Sequence, residues 1–290
     1  MYQFFKPDFT ELNQIIQKRL ASQNEKTVAT KVLQTGWTNI TMDVVGSKDD
    51  EYIFRFPRNL FFANAMIKDC AACSFLKNKI SLPVPNMSLL VDKNRPFSMH
   101  PKIKGTTLDT LLPSLSEKDK QKIANDLGRF LCELQQIPLT KVPPIMKKNL
   151  NTFLLELADV HQGNYDYARH EDWANTEKEA SQLYLSHGDF HPGNILIGPK
   201  NQVVGVIDFA FITVSDRHAD LGRFVCRSEP DMSQLLIDAY QRQSNRPCQL
   251  DKITQMAYLF HYVDTQYVKY MQRAHPEIVI PKMLLAQEKS

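Results

Sequence analysis

The hydrophobic pattern of the first hundred residues predicts two helices and a small sheet. Apolar residues recur at helical spacing over residues 9–20, and a second apolar helical pattern covers about 60–77. Short apolar segments separated by turns that contain Gly36 and Gly46 are typical of an antiparallel meander. The predicted strands are Thr27–Gln34, Ile40–Val45, Glu51–Phe56, Asn86–Val91 and Phe97–Ile103.

From Leu108 onwards the pattern changes from strand to helix. An amphipathic helix is predicted to begin at Ser116, and its apolar face consists of Ile123, Leu127, Phe130, Leu131 and Leu134. Three prolines in residues 138–149 predict a linker. A hairpin of two short apolar strands is predicted within residues 187–209. Further helices are predicted at 151–160, 177–185, 217–226, 231–242 and 250–273.

The composition is that of an ordinary globular protein. The chain has 290 residues, of which 43% are hydrophobic and 23% charged. Its net charge of +3 is too small to indicate a nucleic-acid partner by itself. No apolar run approaches the roughly 18 residues of a membrane span, and the amino terminus lacks the pattern of a signal peptide. We therefore expect a cytoplasmic protein that binds neither nucleic acid nor membranes.

Two of the five cysteines, Cys70 and Cys73, form a C-x-x-C pattern. Such a pattern can be a redox pair or half of a zinc site. Here it lies inside an apolar helical pattern, which favours two reduced thiols in the core of a helix.

Two Asp residues and one Asn residue flank the strands of the predicted hairpin. Asp189 and Asn194 lie in the loop before its first strand, and Asp208 ends its second strand. The tight turn brings Asn194 and Asp208 close together, and a carboxylate beside an amide oxygen suits Mg²⁺. Asp189, a short loop away, can orient or deprotonate an acceptor hydroxyl. The pattern therefore predicts phosphoryl transfer.

The spacing of these residues resembles the protein-kinase catalytic loop H-R-D-x-x-x-x-N and the Asp-Phe-Gly that follows it. Gly188 replaces the Arg of the loop, and Ala210 replaces the last Gly. With these changes the stretch resembles the aminoglycoside phosphotransferase family, the small-molecule branch of the protein-kinase-like fold. The run Phe54–Pro57, read F-R-F-P, is similar to the 2''-phosphotransferases and macrolide kinases of that family.

The resemblance implies an α+β, two-lobed, protein-kinase-like fold. Residues 1–103 would form a β-rich nucleotide-binding lobe that includes the hinge. Residues 104–290 would form a mostly helical lobe with the catalytic loop and the acceptor site.

The catalytic stretch has two other interpretations. His187, Asp189 and His191 alternate along the chain, as metal ligands do in some metallohydrolases, but no downstream His cluster has the spacing to complete such a site. A purely structural polar loop explains the apolar strands but not the two Asp and one Asn at this spacing.

The resemblance also assigns the nucleotide-binding residues. Arg55 would hold the phosphates, with Arg58 as the fallback, and Asp69 would be its acidic partner on the second helix. Either Arg55 or Asp69 can instead be an ordinary solvated side chain. The phosphate-covering turn, the acidic partner and the hinge at the nucleotide base together give the set Gly36, Asn39, Asp69, His100, Lys102 and Ile103.

Acceptor residues are the least determined part of the site. Aminoglycosides are polycations, so their site needs carboxylates. The candidates are Glu229, Asp231 and Asp264, each of which can also be a solvated surface acid. His187 and Asp220 are expected to brace the catalytic loop.

The expected function is Mg²⁺-dependent transfer of the γ-phosphate of ATP or GTP to a hydroxyl of a small molecule, with an alcohol group as acceptor. The first candidate acceptor is an aminoglycoside, which would make the protein an antibiotic-resistance kinase. The alternatives are a macrolide, another metabolite such as an amino alcohol, a sugar or a homoserine-like compound, and a non-catalytic nucleotide-binding protein. The sequence leaves open the acceptor, the hydroxyl, ATP or GTP, the oligomeric state and the role of His191.

Overall fold

The amino-terminal part of the chain is an antiparallel sheet of five strands. The computed structural model describes residues 8–33, 38–147 and 182–274. The strand order is β1-β2-β3-β5-β4, and every neighbouring pair is antiparallel. The strands are β1 (Thr27–Leu33), β2 (Asn39–Gly46), β3 (Glu51–Pro57), β4 (Ser88–Asp92) and β5 (Arg95–Pro101). All five predicted strands are confirmed, with ends that differ by at most two residues.

Helix α1 (Phe9–Ala21) covers one face of this sheet. It begins at Asp8, whose side chain accepts hydrogen bonds from the next turn. Its buried face packs against Phe54 and Phe56 of β3, whose rings stack with each other and with Phe97. Because side chains alternate along a strand, Arg55 points to the opposite face.

Helix α2 (Leu60–Leu76) begins at Asn59, whose side chain accepts from the backbone N–H of Phe62. Ten of its seventeen residues are buried, as expected for a helix that is apolar on most sides. Phe61 and Phe62 pack with Met256, Leu259 and Phe260. The other end of α2 contributes Ala72, Cys73 and Leu76 to the largest core cluster. Although α2 lies between β3 and β4 in the sequence, both of its ends pack on the helical part.

The helical part contains α3 (Leu108–Leu111), α4 (Glu117–Gln136), α5 (Ala219–Arg227), α6 (Pro230–Ser244) and α7 (Leu250–Ala274). Every residue of the predicted apolar face of α4 is completely buried, which confirms that prediction. Gly128 allows α4 to approach α6 closely, because a side chain there would meet the backbone nitrogen of Tyr240 at 2.9 Å.

Two small sheets carry the catalytic segment. Strands β6 (Thr106–Thr107), β8 (Ile195–Ile197) and β9 (Val203–Val206) form one of them, so the predicted hairpin is confirmed. Strand β7 (Tyr184–Ser186) pairs with β10 (Thr213–Ser215) in the other.

One prediction in this region needs correction. The helix predicted over 177–185 was wrong at its end, because Tyr184 and Leu185 belong to β7 and pair with residues about thirty positions away. Residues 182 and 183 are not helical either; the rest of that helix and the helix at 151–160 lie outside the described residues. The predicted linker forms 3₁₀ turns at Leu139–Lys141 and Pro144–Met146, and Met146 is fully buried.

No helix within the described ranges is both long and apolar enough to cross a bilayer.

Candidate active site

The loop between β7 and β8 is fixed from behind by Asp220 in the first turn of α5. The carboxylate of Asp220 accepts hydrogen bonds from the backbone N–H groups of His187 (2.9 Å) and Gly188 (3.0 Å). Asp220 is 2% exposed, so these bonds are sheltered from water. The contacts are those of a brace for the loop.

His187 connects the catalytic loop to β9. Its ring is fully buried, and Nε2 lies 3.1 Å from the carbonyl oxygen of Ile207 while Nδ1 accepts from the backbone N–H of Asp189 at 3.3 Å. Burial lowers the pKa of His187, which agrees with a neutral ring that donates from Nε2. Both nitrogens are therefore used within the protein, and neither is left to bind a metal. In the described part of the chain, no three His, Cys, Asp or Glu side chains are grouped so as to hold a metal ion.

Gly188 lies in the left-handed region of backbone conformation, with φ of +80°. A side chain there would place its Cβ only 2.0 Å from the carbonyl oxygen of Phe211. Gly188 therefore lets the loop approach the segment that follows Asp208. This gives a physical reason for the glycine that stands where protein kinases have arginine.

We expect Gly188→Ala to lower the free energy of unfolding by more than the roughly 1–2 kcal/mol that left-handed backbone costs a non-glycine residue. The excess comes from the collision with the Phe211 backbone, which cannot rotate away. Urea unfolding followed by circular dichroism measures the loss. The matched control is Gly46→Ala, which meets only the end of the Glu25 side chain and has no left-handed backbone. Equal losses in the two variants would contradict the prediction.

Asp189 has both of its carboxylate oxygens engaged. Oδ1 accepts from Nε (2.7 Å) and NH2 (2.6 Å) of Arg223. Oδ2 lies 3.3 Å from Nδ2 of Asn194 and 3.7 Å from Nε2 of His191. Burial alone would raise the pKa of Asp189, but the positive charge of Arg223, with a smaller contribution from His191, holds that pKa well below its usual range. Asp189 is therefore ionised at neutral pH.

Arg223 belongs to a buried network that the sequence analysis missed. Its NH1 donates to Oδ2 of Asp264 at 2.6 Å, and the same oxygen accepts from Nε (2.8 Å) and NH2 (2.6 Å) of Arg227. The guanidinium of Arg223 also lies over the ring of Phe260, 5.1 Å from its centre. The spacing of residues 220, 223 and 227 on one helix face was a signal that could have suggested it.

The candidate acceptor residues occupy two different environments. Asp264 is 8% exposed and its charge is already shared between two arginines. The structure therefore does not present it as a free carboxylate for a cationic acceptor. Glu229 and Asp231 are exposed at the start of α6. The pKa of Lys120 in α4 is raised mainly by its hydrogen bond to Glu117, and the negative charges of Glu229 and Asp231 add to that rise.

Asp208 stands at the end of the hairpin, next to Asn194. The backbone N–H of Ile207 donates to the carbonyl oxygen of Asn194 at 2.9 Å, and Asp208 follows in left-handed conformation with φ of 65°. Enclosure by protein raises the pKa of Asp208. Arg55 opposes that rise, and the charges of Asp69 and Asp189 add to it. A third of the Asp208 side chain (34%) still reaches solvent, so a ligand can reach it.

The pair of Arg55 and Asp69 joins the sheet to the catalytic segment. Arg55 NH1 is ion-paired with Asp69, and its NH2 lies 3.5 Å from Oδ1 of Asp208. Asp69 is completely buried, and its other oxygen accepts from the backbone N–H of Phe209 at 2.9 Å. One carboxylate on α2 therefore positions both the cation of β3 and the residue after Asp208.

The side-chain oxygens of Asn194 and Asp208 fit a magnesium ion. Nδ2 of Asn194 donates to the carbonyl oxygen of Asp189 at 2.9 Å as well as to its carboxylate, which leaves the amide oxygen Oδ1 for a ligand. The carboxylate of Asp208 is accessible, although enclosure by protein raises its pKa. A carboxylate oxygen beside an amide oxygen is a pair of hard ligands of the kind that Mg²⁺ binds in proteins.

The remaining nucleotide candidates lie around the hinge. His100 is buried near the end of β5, with Nδ1 2.9 Å from the carbonyl oxygen of Pro101, and burial lowers its pKa. Lys102 is ion-paired with Asp43 (2.6 Å) and Glu51 (2.9 Å), and its backbone N–H donates to Glu51. Neither the charge nor the N–H of Lys102 is therefore left for a nucleotide.

Ile103 and Asn39 are the two other nucleotide candidates that the structure describes. Gly205 brings the hairpin against Ile103, whose Cδ1 would lie 3.0 Å from a side chain added at that glycine. Asn39 is buried at the start of β2, and its Oδ1 has no hydrogen-bond partner within the described ranges. Gly36 lies outside the described residues.

Residues 29–250 match the family model described as APH, phosphotransferase enzyme family. The match covers most of the chain and includes the catalytic loop, Asp208 and the pair of Arg55 and Asp69, while Asp264 lies beyond its end. The chain belongs to this phosphotransferase family, and the resemblance found in the sequence is confirmed.

Individual proteins resemble this chain over different shares of its length. An aminoglycoside 3'-phosphotransferase of Streptomyces fradiae is 33% identical over 79 residues, which are 26% of this chain; the match spans 30% of that relative's length. Among solved structures, the GDP complex of aminoglycoside 2'-phosphotransferase-IIIa superimposes with a TM-score of 0.75 at 17% identity, over 98% of both chains. The macrolide 2'-phosphotransferase of Brachybacterium faecium gives 0.64 at 12% identity, over 94% of this chain and 96% of its own. At these identities the structural matches show the fold alone, and they confirm the predicted two-lobed, kinase-like architecture.

Proposed function

We propose that the protein is a Mg²⁺-dependent kinase that transfers the γ-phosphate of ATP or GTP to a hydroxyl group of a small molecule. The observation that carries this proposal is the grouping of an ionised Asp189, a free Asn194 oxygen and an accessible Asp208 beside the cation of Arg55. Phosphoryl transfer passes through a loose transition state, so positioning and charge neutralisation matter more than base strength.

Each residue has a role that follows from its position. Asp189, whose Oδ2 is the oxygen not taken by Arg223, accepts a hydrogen bond from the acceptor hydroxyl and directs it at the phosphorus. Arg55, held by Asp69, binds the outer phosphates. Asn194 and Asp208 would hold Mg²⁺, which neutralises phosphate charge. His187 and Asp220 keep the loop in place.

The proposal also gives each of the two parts of the chain a role. Residues 1–103 cover the nucleotide, with the base near His100 and Ile103, and residues 104–290 carry the catalytic loop and the acceptor site. Since the reaction uses a nucleoside triphosphate, we place it in the cytoplasm. Neither a nucleic acid nor a membrane has a part in it.

The first candidate acceptor is an aminoglycoside. A solved structure with the same fold, the GDP and kanamycin complex of APH(2")-IIIa, superimposes with a TM-score of 0.75 at 18% identity, over 96% of this chain and 98% of that one. The exposed acids Glu229 and Asp231 are the remaining free carboxylates of the predicted acceptor set.

A second candidate is an acceptor of lower positive charge, such as a macrolide, an amino alcohol or a sugar. The observation that favours it is the neutralisation of Asp264 by Arg223 and Arg227 directly beside Asp189. This arrangement removes one of the negative charges that a polycation needs.

An acceptor panel separates the two candidates. The purified chain is assayed for consumption of ATP and of GTP with kanamycin, gentamicin, a macrolide and small amino alcohols, with and without Mg²⁺. We expect consumption that stops with a chelator, returns with Mg²⁺, and rises at least tenfold with one acceptor class. Stimulation by aminoglycosides supports the first candidate, and stimulation only by the uncharged or monocationic acceptors supports the second. Failure to bind or consume either nucleotide would overturn the proposed function.

A further inference from the structure

A basic cavity of about 500 Å³ lies away from the residues of the candidate active site. It is a partly open cavity bordered by β7, the start of α5 and the connection between α6 and α7, and Arg246, which lines it, is exposed. We call it the basic cavity and define it by Tyr184, Arg217, His218, Arg246, Gln249 and Lys252, with Asp216 at its wall. Neither Asp189, Asn194 nor Asp208 lines it.

Positive charge exceeds negative charge among the described residues that line this cavity. Arg217, Arg246 and Lys252 face one carboxylate among those residues, that of Asp216. Asp216 is already occupied, because its Oδ1 lies 2.6 Å from Nδ1 of His218 and accepts from the His218 backbone N–H at 2.8 Å. Lys252 comes no closer to it than 3.9 Å. Like charges placed close together repel, and a bound anion reduces that cost.

The two arginines have only neutral partners in the described part of the chain. Arg217 NH2 donates to the carbonyl oxygen of Pro247, while its NH1 is buried and has no hydrogen-bond partner there. Arg246 NH1 donates to the hydroxyl of Tyr184 at 2.7 Å. A buried guanidinium nitrogen without an acceptor is costly, and an oxyanion is the group that satisfies it best.

We propose that the basic cavity binds a small molecule through a phosphate group. Arginine forks match the tetrahedral oxygens of phosphate, and a lysine adds a third positive charge at the same opening. His218 adds no charge of its own, since Nδ1 faces Asp216 and Nε2 accepts from the backbone N–H of Gln249 at 3.3 Å.

The cavity is joined to the catalytic loop on two sides. Tyr184 lies in β7, which runs directly into His187, and the wall from Asp216 to His218 immediately precedes Asp220, the brace of the loop. Binding in the cavity therefore holds both elements that position the loop. This inference does not depend on the reaction that the active site performs.

The test is a titration of the full chain with sodium phosphate and with glycerol phosphate at constant ionic strength, followed by calorimetry and thermal unfolding. We expect saturable binding and a higher Tm, with affinity weakened about tenfold or more in Arg246→Gln, because a charge-assisted hydrogen bond is worth roughly 1.5–3 kcal/mol. Lys252→Gln should weaken binding in the same direction. Tighter binding of the ester than of inorganic phosphate would identify a phosphorylated metabolite as the ligand; equal binding would identify free phosphate.

The matched control is Arg242→Gln, which removes an arginine of α6 that bonds to Asn125 and does not line the cavity. Equal affinity in Arg246→Gln and Arg242→Gln would overturn the proposal, as would the absence of saturable binding. Loss of binding in Arg55→Gln, with binding retained in Arg246→Gln, would place the anion at the proposed nucleotide site and also overturn it. Since no turnover is measured, these outcomes are separate from failure of the proposed kinase activity.

Discussion

Asp189→Ala lowers nucleotide turnover on the order of 10²-fold or more, while nucleotide still binds. The variant removes the only carboxylate that the catalytic loop offers to an acceptor hydroxyl, but it leaves the Arg55–Asp69 pair and Asp208 in place. The fold should survive, because Arg223 keeps its partner Asp264 after Asp189 is lost. Steady-state consumption of ATP or GTP with the best acceptor measures the loss, and a fluorescent nucleotide measures binding.

The control for this experiment is Asp238→Ala, since Asp238 is an exposed acid of α6 that bonds to Gln234 and has no role in the proposed site. It should leave turnover with the same acceptor unchanged. Near-normal kcat in Asp189→Ala would show that another group positions the acceptor, and the role given to Asp189 would then be wrong.

Asp208→Ala abolishes Mg²⁺-dependent binding of nucleotide. Asp208 is accessible and lies beside Asn194, and a divalent cation bound there would neutralise phosphate charge. Loss of a direct carboxylate ligand should exceed the roughly 10–100-fold that removal of an outer partner costs in metal affinity. Titration with nucleotide in Mg²⁺ and in chelator measures the effect.

Two comparisons make the Asp208 experiment decisive. Residual binding in chelator should be the same in the wild type and the variant, because Arg55 remains. Unchanged affinity in Mg²⁺ would argue against the metal role of Asp208, whereas equal loss with and without Mg²⁺ would point to damage of the Arg55 pair instead.

The parts of the fold that could be predicted from the sequence are those with a local signal. The apolar face of α4 recurs at helical spacing, and all five of its predicted residues are fully buried. The hairpin that brings Asn194 beside Asp208 is defined by two short apolar runs and a turn. The helix therefore follows from its periodicity, and the hairpin follows from the order of apolar run, turn and apolar run.

The parts that could not be predicted depend on partners far apart in the chain. Arg223 reaches Asp189 and Asp264, which lie 34 and 41 positions away. Helical spacing places Arg223 on one face with Asp220 and Arg227, but it does not indicate those two partners. The contacts of Lys102 in the hinge are also long-range, because Asp43 and Glu51 of neighbouring strands take its charge. Strand β7 was read as the end of a helix, because its pairing with β10 is also a long-range property.

The packing of α2 has a consequence for recombination between members of the family. Its ends are buried among residues of α4 and α7, while Asp69 at its middle holds Arg55 of the sheet. An exchange of residues 1–103 between two relatives would therefore transfer a helix whose contacts were selected against a different set of neighbours. A hybrid that separates α2 from the sheet breaks contacts as well, because α2 also packs on β3, β4 and β5. The end of the sheet is therefore not a neutral point of exchange, and α2 has to be matched to its neighbours on both sides.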